Sequence, residues 1–222
     1  RCGIGGCGGK ASYTVSGILE GIRSVGLLSD RDARYTLVGS AGALGAGILE
    51  YLLAEGFKDL AVCDLVYDAG VEPPPAGVPV LPSSDGRFTN ECLERGGIQI
   101  FTTWGEELEN SDVSAIPPGS ALVLAHNLSV PPGERGRHLM REIADRGILA
   151  IPGQVLTLGG ALTSRLEWFW RQCYPNTDFT SKKPLAHEIA RRVGAFLVTR
   201  IDDLAKKQNL THYEAMWAFA ES

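Results

Sequence analysis

Apolar residues recur along this chain in two rhythms. Val15, Ile18, Leu19, Ile22 and Val25 fall three and four apart, the spacing of one helical face, which predicts a helix from Tyr13 to about Ser24. Tyr35-Thr36-Leu37-Val38 is a short, mostly apolar run closed by Gly39, the pattern of a buried strand. A helix follows over 43–55 and stops at Gly56, and a second strand runs Leu60–Asp64. The alternation then repeats: helix 89–95, strand 98–102, a turn or short helix near 106–110, strand 121–125, helix 133–146, strand 148–151. Beyond Leu158 the pattern is helical only, over 158–172, 184–208 and from a Thr211 cap to Ala220. The proline-rich stretch 69–86 reads as a loop, with Val78–Leu81 as a short edge strand, where proline is tolerated. Strands alternating with helices predict an α/β fold, a doubly wound, mostly parallel sheet with a C-terminal helical extension. The expected segments are a glycine-rich hinge over 1–12, the sheet domain over 13–180, and helices packing on it over 181–222.

The strongest chemical signal is Gly39-Ser40-Ala41-Gly42-Ala43-Leu44-Gly45, between the first strand and its helix. A dinucleotide site needs small residues there, for a tight turn, for close approach of backbone N–H groups to a pyrophosphate, and for helix–strand packing. The helix N-terminus adds partial positive charge. Gly42 and Gly45 fit the second and third glycines of the Rossmann fingerprint, while Ser40 takes the first place. Asp64 stands at the end of the next strand, where a carboxylate accepts from adenosine ribose hydroxyls and repels a 2′-phosphate. Leu65 to Asp68 supply no Arg or Lys, so NAD is expected in preference to NADP. Ser40, Gly42, Ala43, Leu44, Gly45, Asp64 and Leu65 are therefore candidate cofactor residues.

His126-Asn127 follows a buried strand at the carboxyl edge, where open α/β sheets bind ligands. A histidine alone is more often a capping or core residue, because geometry rather than identity makes a general base. Gly159-Gly160 is expected to let the chain pass close to a nicotinamide. No Gly-x-Ser-x-Gly elbow and no Walker-type phosphate loop occur.

Composition narrows the partners. The 222 residues carry 21 Lys and Arg against 26 Asp and Glu, a net charge of −5 with no basic run. This argues against nucleic acid and membrane surfaces, which need clustered cations. The cysteines, Cys2, Cys7, Cys63, Cys92 and Cys173, lack zinc-site spacing, so no metal is expected, and scattered thiols fit a reducing cytoplasm. The chain opens Arg1-Cys2-Gly3 and is expected to be part of a longer polypeptide.

In order, these pieces resemble the coenzyme domain of the glutamate/leucine/phenylalanine/valine dehydrogenase family. Thr14 to Gly21 is similar to its Thr-x-x-Gly-Val-x-x-Gly helix, Val38 to Gly56 to its glycine turn and helix, and Asp64 to its acidic strand end. Leu122 to Asn127 resembles the strand leading to its Ala-Asn loop. Arg146 to Pro152, followed by Gly159-Gly160, resembles its Gly-Ile-x-x-x-Pro-Asp-x-x-x-Asn-x-Gly-Gly segment. Residues 189–205 and Leu210 to Ala215 have the look of its closing helices.

The resemblance implies reversible NAD(P)-dependent oxidative deamination of an L-amino acid to a 2-oxo acid and ammonia. It implies that Thr14 helps hold the nicotinamide carboxamide and that Asn127 lies along the nicotinamide ribose. Thr157 stands where the family has Asn, and Gly153 where it has Asp. The catalytic Lys and Asp are expected in a separate N-terminal substrate domain, through which a homo-oligomer would form. Two other readings stand beside this one: a two-domain NAD(P) dehydrogenase of the shikimate or methylene-tetrahydrofolate type, and a degenerate nucleotide-sensing or oligomerisation domain.

Overall fold

The structure, a computed structural model, describes residues 9–105, 108–176 and 178–222. The chain runs α1 (Gly9–Ser24), β1 (Arg34–Val38), α2 (Ala43–Ala54), β2 (Asp59–Cys63), α3 (Leu65–Asp68), β3 (Ser83–Ser84), β4 (Arg87–Phe88), α4 (Asn90–Glu94) and β5 (Ile98–Phe101). It continues through α5 (Asn110–Val113), β6 (Ala121–Leu124), α6 (Gly133–Asp145), β7 (Leu149–Ile151), α7 (Gly153–Cys173), α8 (Lys183–Gln208) and α9 (His212–Ala220).

Strands β2-β1-β5-β6-β7 form one sheet in that order, and every pairing is parallel. Both faces are covered. Tyr35, Leu37, Leu60, Val62, Ile100, Val123 and Ile151 face α1, α2 and α8. Their alternates Val38, Cys63, Phe101, Leu122, Leu124 and Ala150 face α4 and α6. This period of two, apolar on both sides, is why the strands read as continuous apolar runs. The chain leaves β1 toward β2 and returns on the other side of β1 to β5. The loops after Val38 and Phe101 therefore diverge and open a crevice at the carboxyl edge.

Three sequence expectations change. Helix α1 begins at Gly9 rather than Tyr13, because Lys10, Ala11 and Ser12 contain no breaker. The rest of the proposed hinge, with Cys2 and Cys7, lies outside the described residues. Helix α7 begins at Gly153, five residues before the apolar periodicity shows it. The Gly159-Gly160 pair serves helix packing. A Cβ on Gly160 would lie 2.2 Å from Thr14 Oγ1, and one on Gly159 2.6 Å from the Ala190 carbonyl oxygen. These contacts let α1, α7 and α8 pack backbone to backbone and fix the position of Thr14. Helix α8 also sends Val198, Ile201 and Ala205 into the core beneath the sheet.

Val80 makes a single parallel bridge to Val62, so the expected edge strand is one bridge long. The β3–β4 hairpin was not expected. Its turn is Asp85-Gly86, both at positive φ, the two-residue hairpin form that Asp-Gly favours. No helix among the described residues is long and apolar enough to cross a membrane.

Candidate active site

Gly39 follows β1 at φ +82, so the left-handed residue of the turn is Gly39 and not position 40. Ser40 is 1% exposed, and its hydroxyl donates to the Tyr67 hydroxyl at 3.1 Å. A serine here therefore leaves the turn intact, and its side chain points under the loop rather than into the crevice. Gly45 packs on the turn, since a Cβ there would fall 2.1 Å from the Gly39 carbonyl oxygen. Gly42 caps α2 without a side chain. The opening N–H groups of this 12-residue helix thus lack both intrahelical and side-chain acceptors.

The helix start lies between two cavities. The smaller, about 660 Å³, is lined by Gly42, Asp64 and Leu65 together with Glu72, Arg87 and Glu109. The larger, about 1020 Å³, is lined by Thr14, Ala43, Leu44, His126, Asn127 and Thr157, with Ala161, Ser164, Arg165 and Trp168 of α7. Thr102, Thr103 and Trp104, following β5, border both. Of the sequence candidates, only Ser40 and Gly45 line neither cavity.

Asp64 holds the turn as well as facing the smaller cavity. Ala41 N–H donates to its Oδ2 at 2.8 Å, and Val66 N–H donates to its Oδ1 at 3.2 Å, capping α3. The hairpin carries Arg87 into the same cavity, a cation that the four residues after Asp64 do not reveal. Arg87 is engaged by the buried Asp112 at 2.7 Å. Three carboxylates, Asp64, Glu72 and Glu109, against one paired guanidinium leave this cavity net acidic.

In the larger cavity, Thr157 Oγ1 lies 2.5 Å from Asn127 Oδ1 and 2.8 Å from the Gly153 carbonyl oxygen. A hydroxyl has one proton and cannot donate to both oxygens at once. Turning the Asn127 amide resolves this: Nδ2 donates to Thr157, which donates to Gly153, and Oδ1 is released toward the cavity. Thr157 thus orients Asn127 from one turn of α7. Gly153 is obligatory, because a Cβ there would stand 1.8 Å from the His126 carbonyl oxygen. The aspartate that the resembling family carries at this position has no room.

His126 is 9% exposed, and burial pushes its pKa down to about 4. Its ring is neutral at pH 7 and too weakly basic to serve as the main proton acceptor there. Burial also lowers the pKa of His212, which bonds Asp202 at 3.1 Å, and of His187. The unfolded chain takes up these protons near pH 6.5, whereas the folded chain refuses them. Stability is therefore expected to be fully present above pH 6.5 and to fall as pH drops from 6.5 toward 4. Urea midpoints measured from pH 7.5 to 4.5 check this, and His126→Gln should flatten the slope. A midpoint unchanged between pH 7 and 5 would contradict the burial.

Sequence reasoning missed Trp104, Arg165, Trp168 and Arg87. Trp104 is 91% exposed at the ridge between the cavities. Residues 157, 161, 164, 165 and 168 share one face of α7 at helical spacing. That spacing was readable, but which face meets the crevice was not.

No family model matches the chain. Over 164 residues it is 29% identical to valine dehydrogenase of Streptomyces coelicolor, covering 71% of this chain and 43% of that protein. L-tryptophan dehydrogenase from Nostoc punctiforme superposes with a TM-score of 0.72 at 19% identity, over 95% of this chain and 58% of the other. Hetero-hexameric glutamate dehydrogenase from Thermus thermophilus gives 0.69 at 16% identity, over 99% and 53%. The chain therefore spans about half the length of these proteins. The chain is thus similar in sequence to one amino-acid dehydrogenase and in fold to the matching halves of two others.

Proposed function

We propose that this chain is the coenzyme-binding half of an NAD-dependent amino-acid dehydrogenase, interconverting an L-amino acid and a 2-oxo acid plus ammonia. The observation that carries the reading is the divided crevice. An uncapped helix N-terminus separates an acidic cavity from one whose described lining includes no acidic residue. That donor set and charge pattern fit a dinucleotide lying across the carboxyl edge. The free N–H groups at Ala43 and Leu44 face the pyrophosphate. Asp64 accepts from the adenosine ribose hydroxyls, and its acidic surroundings repel a 2′-phosphate. Thr14, Asn127 and Thr157 orient the opposite end. NAD, when bound, supplies the hydride acceptor.

Among the described residues lining the larger cavity there is no Lys, Asp or Glu, and His126 is neutral. The groups that move the amine proton are therefore assigned to an N-terminal substrate domain, which also carries the assembly contacts. This chain alone should bind cofactor and turn over nothing.

Titration with NADH and NADPH, followed by energy transfer from Trp104 and Trp168, tests the reading. Saturable binding with NADH preferred is the expected result. Equal affinity would overturn the choice of NAD, no binding of either would overturn the cofactor site, and turnover of an amino acid by this chain alone would overturn the need for a second domain.

A further inference from the structure

Most arginines of this chain are engaged: Arg23, Arg31, Arg34, Arg87, Arg95, Arg137, Arg141, Arg171, Arg191 and Arg192 each hold a carboxylate. Arg165 has no ion-pair partner among the described residues, and it lines the larger cavity. Its helical neighbours Ala161, Leu162, Trp168 and Phe169 carry no charge. Glu167, two positions on, is taken by Arg171 and by the Tyr13 hydroxyl. Arg165 is thus an unneutralised cation facing a cavity whose described lining has no acid, beside an adjoining cavity that is net acidic.

Position along α7 adds a length. Arg165 lies eight residues beyond Thr157, roughly 12 Å at 1.5 Å per residue. Helical side chains lean toward the N-terminus, so its guanidinium reaches back along the cavity toward Asn127 and Thr157. The cavity that all three residues line, about 1020 Å³, has room beside them for a small molecule of amino-acid size. Ser164, on the same turn, adds a hydroxyl, although its proton already bonds the Gly160 carbonyl oxygen at 2.9 Å.

Resting on the dehydrogenase reading above, we propose that Arg165 is a specificity-determining residue that binds a carboxylate of the 2-oxo acid or amino-acid substrate. The planar guanidinium offers a paired, charge-assisted contact that a lysine reproduces only as a point charge. The carboxylate has two possible sources: the one next to the reacting carbon, or one on the substrate's side chain.

The test uses saturation-transfer NMR on the 222-residue chain, with and without NADH, and three probes: 3-methyl-2-oxobutanoate, 2-oxoglutarate and the neutral ketone 3-methyl-2-butanone. Wild type should bind the carboxylates and not the ketone. Arg165→Met should weaken carboxylate binding about tenfold, the scale of one charge-assisted contact, with NADH affinity unchanged. Arg165→Lys should restore part of it. Loss of both acids assigns the contact to the carboxylate beside the carbonyl, and loss of 2-oxoglutarate alone assigns it to the side chain. Carboxylate binding that Arg165→Met leaves unchanged overturns the proposal, as does no binding by wild type under either condition. A parallel loss of NADH affinity overturns it too, placing Arg165 on the cofactor's phosphates. Carboxylate binding lost in Arg165→Met while wild type fails to bind NADH would uphold the anchor and defeat the cofactor reading instead.

Discussion

Gly153→Ala is expected to destabilise the chain severely, and Gly153→Asp, which installs the residue carried by the family the sequence resembles, to do worse. A single methyl at this position would stand 1.8 Å from the His126 carbonyl oxygen and 2.4 Å from that of Leu124. Both obstacles are backbone, at the end of a central strand, so no side chain can swing aside. Relief requires α7 to move away from β6. That movement would break the Gly153 N–H bond to Ser129 Oγ at 3.2 Å and carry Thr157 off Asn127. Overpacking that only side chains resist costs about 1–3 kcal/mol, and a backbone obstacle belongs at or above the upper end. At about 2–4 °C per kcal/mol for a chain of this size, Gly153→Ala should lower Tm by roughly 6–12 °C. Differential scanning fluorimetry would measure it, and a Tm within about 2 °C of wild type would show that the helix start yields freely.

Replacing Asp64 should act on cofactor choice and on the turn together. Asp64→Ala removes the acceptor for Ala41 N–H and Val66 N–H, and with them the link between the glycine turn and the start of α3. Loss of a cap of this kind costs about 1 kcal/mol. On the proposed cofactor site, NADH binding should fall further, tenfold or more, because the charge-assisted contacts that Asp64 would make to the ribose hydroxyls go as well. NADPH should lose less, since a repelling carboxylate has also gone. The ratio of the two affinities therefore moves toward one. Asp64→Asn separates the two effects by keeping one acceptor oxygen for the turn while removing the charge. Unchanged NADH affinity in Asp64→Ala, alongside the expected loss of stability, would leave Asp64 as a cap and nothing more.

The departure at position 153 shows where sequence comparison needed the structure. Glycine in place of aspartate looks like a lost functional group. The approach of the His126 backbone shows a position that admits no side chain at all. Ser40 is similar. It stands in the place of the fingerprint's first glycine, yet the left-handed conformation falls on Gly39, one residue earlier. A linear motif records which residues are small and does not say which of them takes the strained φ.

The parallel sheet, its alternation with helices and the glycine turn were determined by the sequence alone. Their signals are local: apolar runs of strand length, helical spacing on α1, Gly56 after α2 and the Thr211 capping box on α9. The candidate residues around Gly42, Asp64 and Asn127 followed because the carboxyl edge of such a sheet is fixed by chain direction. The charge of each half of the crevice was decided only by the tertiary structure. Arg87 enters through a hairpin whose Asp85-Gly86 turn was readable but whose destination was not, and it meets Asp112 there. Arg165 is one charged residue in a helix until packing chooses the face. That choice is made by Gly160 against Thr14 and Gly194 against Gly17, contacts between segments far apart in the chain. Local propensity sets which elements form, whereas the electrostatics of a site depend on which distant side chains packing brings into it.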